Sequence, residues 1–250
     1  MSLVHIFAAT GMEAQPVRRL AVVSDSSSTL RCGQNELVLN ISGMGPANAR
    51  RKAETALNAA RVSPASPKPN AAVVIGLCGG LTASLPEGRV VVYTACRSLE
   101  DTKPLLRCSE TIVDSVIEKL KGSNVVCERV VGITSSRFAT TPDQRAMLAQ
   151  HGAAVVDMES YLVLEKAVAA GVSALVLRVV SDSFYRKLPD FNRALDAAGG
   201  LDGWKALRVA LGSPIRTASL IAANQRAMKH LGKALNVVLK SPCFAQAGSL

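Results

Sequence analysis

The sequence predicts an α/β fold: one domain on a central mixed, largely parallel twisted sheet flanked by helices in three layers, with a helical C-terminal extension. Three observations carry that prediction. Short apolar runs, such as AAVVIGL at 71–77, alternate with segments of helical periodicity. Five of the strand ends carry small or polar residues, at 10–15, 42–46, 76–80, 157–159 and 181–183, as a ligand pocket lined from one sheet edge requires. The chain has 250 residues, 48% of them hydrophobic, enough to bury a core without disulfide or metal staples.

Residues 3–9 read as a strand, and Gly11 allows a tight turn into a helix over 13–20. Residues 36–41 form the next strand, which ends in Ser42-Gly43-Met44-Gly45-Pro46 before a helix over 47–60 carrying Arg50, Arg51 and Lys52. The two glycines fit a phosphate-cradling turn and equally a plain β-turn. Residues 62–70, with Pro64, Pro67 and Pro69, read as a surface loop.

Residues 71–77 are a fully apolar central strand, which opens into Cys78-Gly79-Gly80, where missing side chains let a ligand approach the backbone. A turn at Pro86-Glu87-Gly88 leads to a strand over 89–96. Ile112, Val116, Ile117 and Leu120 share one face of a helix over 111–121. A strand over 125–133, a polar stretch to Thr140 and a helix over 142–150 follow.

Residues 153–182 read as one βαβ unit: a strand ending at Val156-Asp157, a helix over 158–170 stopped by Gly171, and a strand over 172–180. Parallel strands in such a unit place Glu159 and Asp182 at the same carboxyl edge, where open α/β sheets hold ligands. Residues 204–240 are helical in pattern, and Pro214 divides them into two helices. Their mixture of apolar and basic residues fits helices packed on the sheet. It also fits a basic amphipathic face at an anionic bilayer. The expected division is an α/β domain over 1–203 with the extension over 204–242 packed on it. Residues 243–250 read as a frayed tail.

The formal charge of +10 admits a nucleic acid, an anionic membrane surface or a phosphate-bearing substrate as partner. An aromatic content of 4% with a single Trp supplies few stacking platforms, so nucleic acid is not expected. Cysteines 32, 78, 96, 108, 127 and 243 form no CxxC pair and no ligand spacing with histidine. Reduced thiols in a cytoplasmic protein are expected, with neither a structural zinc nor another cofactor. No signal peptide is read at the N-terminus, and no apolar run reaches the roughly 18–20 residues of a membrane span.

Val156-Asp157-Met158-Glu159, followed by Arg178-Val179-Val180-Ser181-Asp182, resembles the VDME and R-x-(I/V)-S-D signatures of the nucleoside phosphorylase and nucleosidase superfamily. Gly76-Leu77-Cys78-Gly79-Gly80-Leu81 is similar to its central G-S-A-G-G-L turn, Ser42-Gly43-Met44-Gly45 to its S-G-I-G turn, and Gly11-Met12-Glu13 to its opening (A/G)-M-E segment. The resemblance spans roughly residues 3–185. Within the superfamily, the basic extension and the D-M-E-S-Y form look closest to the hopanoid-associated nucleosidases, thought to remove adenine from adenosylhopane. The methylthioadenosine and adenosylhomocysteine nucleosidases are relatives.

This resemblance implies cleavage of the N-glycosidic bond of a 5′-modified adenosine with release of adenine. Asp182 would be the acid at purine N7, a role that near neutrality requires a desolvating pocket; a bare turn aspartate is the bland alternative. Glu159 would bind the ribose hydroxyls, Met158 would contact the sugar, and Phe138 would stack on the purine beside base-reading backbone at Ala139. Cys78, Gly79 and Met44 complete the substrate-binding candidates, with Arg178 and Ser181 expected to support Asp182. Arg178, inside an apolar strand, needs a carboxylate partner. The relatives also imply a homodimer.

Two departures affect the nucleophile. Nucleosidases of the family carry a water-activating Glu shortly after the opening turn. Aligned on Gly11-Met12-Glu13, that position is Gln15, which cannot take a proton. Glu13 is the available substitute. The phosphorylases' phosphate-binding Arg and Ser correspond to Val74 and Leu77, both apolar. Arg18, Arg19, Arg50 or Arg51 would have to replace them, and helix-surface arginines are ordinarily solvated. A phosphorylase using phosphate as co-substrate, and a nucleoside-binding protein weakened in hydrolysis, are therefore the alternatives.

Overall fold

The computed structural model describes residues 1–23, 29–62, 68–99, 102–196 and 200–245. Its strands are β1 (Ser2–Ala8), β2 (Val22–Val23), β3 (Leu30–Cys32), β4 (Asn35–Ile41), β5 (Ala71–Gly80), β6 (Val90–Ser98), β7 (Leu106–Arg107), β8 (Cys127–Thr134), β9 (Val155–Asp157) and β10 (Ser173–Asp182). Its helices are α1 (Gly11–Leu20), α2 (Pro46–Val62), α3 (Glu110–Gly122), α4 (Pro142–Ala149), α5 (Ser160–Ala169), α6 (Gly203–Gly212) and α7 (Pro214–Val238), with a 3₁₀ turn at Phe191–Ala194.

The sheet is mixed, and its long ladders are parallel. β1 lies between β4 and β5, parallel to both, and β3 and β2 extend the β4 side in antiparallel fashion. On the other side β5 pairs in parallel with β10, which pairs antiparallel with β6. β6 is parallel to β8, β8 to β9, and β9 returns antiparallel to the end of β5. Strands β5, β10, β6, β8 and β9 therefore close into a ring, and β7 pairs with β6.

That ring corrects the expected parallel βαβ unit. β9 and β10 do not pair with each other, and they run in opposite senses against β5. β9 is three residues long and touches only the Gly79–Gly80 end of β5. The two candidate acids meet for a different reason. Gly79 pairs with Val156 on one side and with Asp182 on the other, so both strand ends reach the same mouth of the ring.

Every residue of β10 is buried, as its apolar sequence dictates, and α5 is covered on most sides. α7 turns Ala223, Ala227, Leu231, Ala234, Leu235 and Val238 inward, a stripe at helical spacing that packs against β10, α1 and α3. Cys243 and Phe244 are buried, which corrects the reading of the whole 243–250 stretch as frayed; residues 246–250 lie outside the described residues. Burying a side chain such as Phe244 contributes roughly 1.5–3 kcal/mol. The Asn35 amide fastens the segment by donating to Leu239 O at 2.8 Å and Ser241 O at 2.9 Å. α2 continues to Val62, so the loop expected over 62–70 begins later and falls largely on residues outside the described set.

Candidate active site

The mouth of the ring holds a cavity of about 250 Å³. Its inner wall is organised by one cation. Arg178, on β10 and 1% exposed, cannot be left unpaired in so dry a place. Its guanidinium reaches Glu159 Oε2 at 3.3 Å, Asp157 Oδ2 at 3.6 Å and Glu13 Oε1 at 4.0 Å, and donates to Ser160 Oγ at 3.1 Å. Burial opposes its charge, but Asp157, Glu159, Tyr93 and Glu13 outweigh burial and raise its pKa above the ordinary value.

Three carboxylates around one guanidinium leave an excess of negative charge. Glu159 answers for it. Burial, with Asp157 and Glu13 nearby, raises its pKa to about 7, against the lowering effects of Arg178 and the Gly45 N–H. The Gly45 amide donates to Glu159 Oε1 at 3.1 Å. The Ser42–Pro46 turn, with Gly43 and Gly45 at positive φ, thus presents an amide to Glu159, and Met44 of the same turn lines the cavity. Asp157 has a supporting job. It accepts from Tyr93 Oη at 2.8 Å, Thr134 Oγ1 at 2.9 Å and the amides of Glu159 and Ser160, fixing the turn from β9 into α5.

Glu13 enters the site from the start of α1. Thr10 caps the helix and Glu13 is its third residue, so the two close a capping box and the Glu13 carboxylate is drawn back over the turn. Its Oε1 accepts the Leu77 amide at 2.9 Å. Gly76 makes this approach possible, since a Cβ there would lie 2.3 Å from Glu13 Oε1 and 2.6 Å from Arg178 Nη1. Gln15 is exposed and does not line the cavity, which corrects the alignment that placed it in the catalytic position. Two residues on in a helix is about 200° of rotation, so Glu13 and Gln15 face opposite ways.

Asp182, at the end of β10, is 6% exposed and opens onto the same cavity. Its cation is Arg145, not Arg178. Arg145 projects from α4, is 0% exposed, and places Nη2 2.5 Å from Asp182 Oδ2 and Nη1 3.0 Å from Gly80 O. Ser181 Oγ lies 2.6 Å from the other Asp182 oxygen. Gly79 leaves the space that this pair occupies, because a Cβ there would come within 2.9 Å of Asp182 Oδ2 and 3.1 Å of Arg145 Nη1.

Phe138, Ala139, Met158 and Cys78 all line the cavity. Phe138 faces Phe191 of the 3₁₀ turn with ring centroids 6.2 Å apart. The Asn192 amide grips the Phe138 peptide, accepting from its N–H at 2.8 Å and donating to its carbonyl at 3.0 Å. Leu188, Phe191, Leu220 and Asn224 complete the outer rim; none was singled out from sequence, and neither were Arg145 and Asp157 as functional groups. Arg18, Arg19, Arg50 and Arg51 do not line the cavity, so the suggested phosphate ligands are elsewhere. Arg50 instead pairs with Glu165 at 3.6 Å.

Comparison with known proteins gives the family. The family described as the phosphorylase superfamily matches residues 6–198. The chain belongs to that superfamily. Among solved structures it is similar to the S-adenosylhomocysteine nucleosidase of Streptococcus pyogenes bound to 5-methylthiotubericidin, with TM-score 0.73, 17% identity and 96% of each chain covered. It is also similar to the 5′-methylthioadenosine/S-adenosylhomocysteine nucleosidase of Neisseria meningitidis bound to methylthio-immucillin-A, with TM-score 0.72 and 16% identity over 96% of this chain and 99% of that one. The futalosine hydrolase of Helicobacter pylori matches with TM-score 0.70 and 15% identity over 95% and 97%. At these identities the structural matches establish the fold. No curated protein matches the sequence.

Proposed function

We propose that the protein is a purine nucleoside N-glycosidase that uses water to release adenine from a 5′-modified adenosine, adenosylhopane and methylthioadenosine being the first candidates. The observation that carries this reading is the convergence of Glu13, Glu159 and Asp182 on one cavity that also holds Phe138. Glu159 accepts hydrogen bonds from the ribose hydroxyls, and Phe138 packs on the base. Asp182 carries a proton into the reaction and passes it to N7 as the C1′–N9 bond breaks and its electron pair goes to the purine; the proton that Glu13 takes from water makes up for it. The carboxylates around Arg178 favour the positive charge that develops on the sugar. Glu13 takes a proton from the water that attacks C1′. Water and nucleoside are consumed; adenine and the free sugar leave.

Water is preferred to phosphate because the inner wall offers no uncommitted cation among the described residues. Arg178 and Arg145 are engaged by carboxylates, and Arg137 lies at the exposed end. The placement of Glu13 in the cavity wall supports hydrolysis over binding alone. The apolar rim of Leu188, Phe191 and Leu220 supports a hydrophobic 5′ substituent. A cytoplasmic homodimer is part of this reading, and sizing in solution tests the dimer.

The test is adenine release from methylthioadenosine and from adenosylhopane, each with and without phosphate. Release without phosphate is expected, and Asp182→Asn should abolish it while the fold is retained. Strict phosphate dependence would make the enzyme a phosphorylase. Tight adenine binding without turnover of either substrate would make it a binder.

A further inference from the structure

Five of the exposed large apolar side chains among the described residues fall within residues 204–221, more than in any separate stretch of that length. α6 has no buried residue, although it is amphipathic. Trp204 is 79% exposed, Leu207 47% and Leu211 70%; their spacing of three and four places them along one face of the helix. Ile215, 85% exposed, and Ile221, 53%, continue the patch onto the first turns of α7. The inner face of α6 packs on the 3₁₀ turn and on α7, so the helix is held in place with this face outward. A helix held in water ordinarily turns such residues inward, and an exposed cluster of this kind marks an interaction surface.

The charges interleaved with the patch are basic, with Asp190 and Asp202 beside it. Lys205, Arg208 and Arg216 are interleaved with it, and no described carboxylate pairs with them. Asp202 is the last acidic residue of the chain, and its side chain is spent capping α6 through the Lys205 amide at 3.0 Å. Lys205 and Arg208 also line a cleft beside the 3₁₀ turn, together with Arg193 and Asp190. The second half of α7 does not share this character, because its apolar stripe is buried against β10.

We infer that α6 and the first turns of α7 dock on an anionic lipid bilayer, the apolar residues entering the interface and Lys205, Arg208 and Arg216 meeting lipid phosphates. Trp and Leu on one face with Lys and Arg beside them are the composition of an interfacial helix. A second copy of this chain is a poorer occupant. A two-fold contact would set the patch against itself and bring the basic residues Lys205, Arg208 and Arg216 towards their own copies. The location gives the docking a use. Phe191 and Leu220, which rim the cavity, belong to the same 3₁₀ turn and helix, so a docked molecule holds its cavity mouth close to the bilayer. The surface does not depend on the reaction proposed above.

Trp204 is the only tryptophan, so its fluorescence reports the patch directly. The full chain is mixed with phosphatidylcholine vesicles, and with vesicles in which phosphatidylglycerol replaces a third of the lipid, at low and high salt. Expected are a blue shift of Trp204 and co-sedimentation with the anionic vesicles, both reversed by salt. Leu211→Ser with Ile215→Ser should lower vesicle affinity at least tenfold, as should Arg208→Glu with Arg216→Glu. Circular dichroism and melting should show both variants folded. Absence of both signals overturns the proposal. So does self-association that shields Trp204 without lipid and persists beside anionic vesicles, for then a second copy covers the face.

Discussion

Arg145 of α4 and Asp182 at the end of β10 form a buried ion pair, Nη2 to Oδ2 2.5 Å. The guanidinium also holds the Gly80 carbonyl, so one side chain ties α4 to both β5 and the candidate N7 group. Truncating one partner of such a pair leaves a buried charge uncompensated, at a cost of about 3–5 kcal/mol. Arg145→Met should lower the denaturant midpoint accordingly and reduce kcat more than it raises KM. Combined with Asp182→Asn, the two losses should be far from additive, because they act on one unit. Additive losses would separate Arg145 from the site.

Glu13 and Gln15 give opposite expectations although they are two residues apart. Glu13→Gln keeps an acceptor for the Leu77 amide but removes the base, and should cost about 10²–10⁴-fold in kcat. Gln15→Glu adds a carboxylate in solvent and should leave the rate within about twofold. Steady-state adenine release measures both. A large gain from Gln15→Glu would return the catalytic position to residue 15.

Much of this was legible in sequence, for a reason that also marks the limit. Glu159, Met158 and Asp182 stand beside strand ends within the motifs that carry the family resemblance, which marked them. The parallel pairing expected between their strands is not what brings them together. Arg145 sits in an eight-residue helix, where periodicity gives no cue that a charged side chain points inward. The displacement from Gln15 to Glu13 depends on the helix beginning at Gly11 with Thr10 as cap, and a motif aligned by residue type does not carry that phase. Ring closure escaped because it rests on pairings between distant strands, one of them three residues long. The two-residue strands β2 and β7 are too short for any alternation to show.

Gly76 is the backbone counterpart of the Glu13–Arg178 contact. Its φ of 144° is one that L side chains rarely adopt, and a methyl group would collide with both charged groups. Gly76→Ala should therefore destabilise the fold by about 1–3 kcal/mol from backbone strain alone and abolish turnover. Gly122→Ala, at a helical position with nothing within 4 Å, is the control and should leave the rate unchanged and melting equal or slightly higher. Equal behaviour of the two variants would show that the site tolerates movement of Glu13.

The raised pKa of Glu159 makes two linked pH predictions. Its folded value is about 7 against an ordinary 4.5, so across that window the native state holds a proton that the unfolded chain has released. Stability from this group is therefore present at the acid end of the window and is lost as pH rises through about 7. Ligand binding runs the other way. Ribose hydroxyls are donors and need the ionised carboxylate, so affinity should rise with pH up to about 7 and then level, changing about tenfold per unit well below it. Calorimetric titration of Asp182→Asn with methylthioadenosine, from about pH 5.5 to 8, follows binding without turnover. Adding Glu159→Gln should flatten the curve at weak affinity. A profile unchanged by that substitution would assign the titration to another group and take Glu159 away from the ribose.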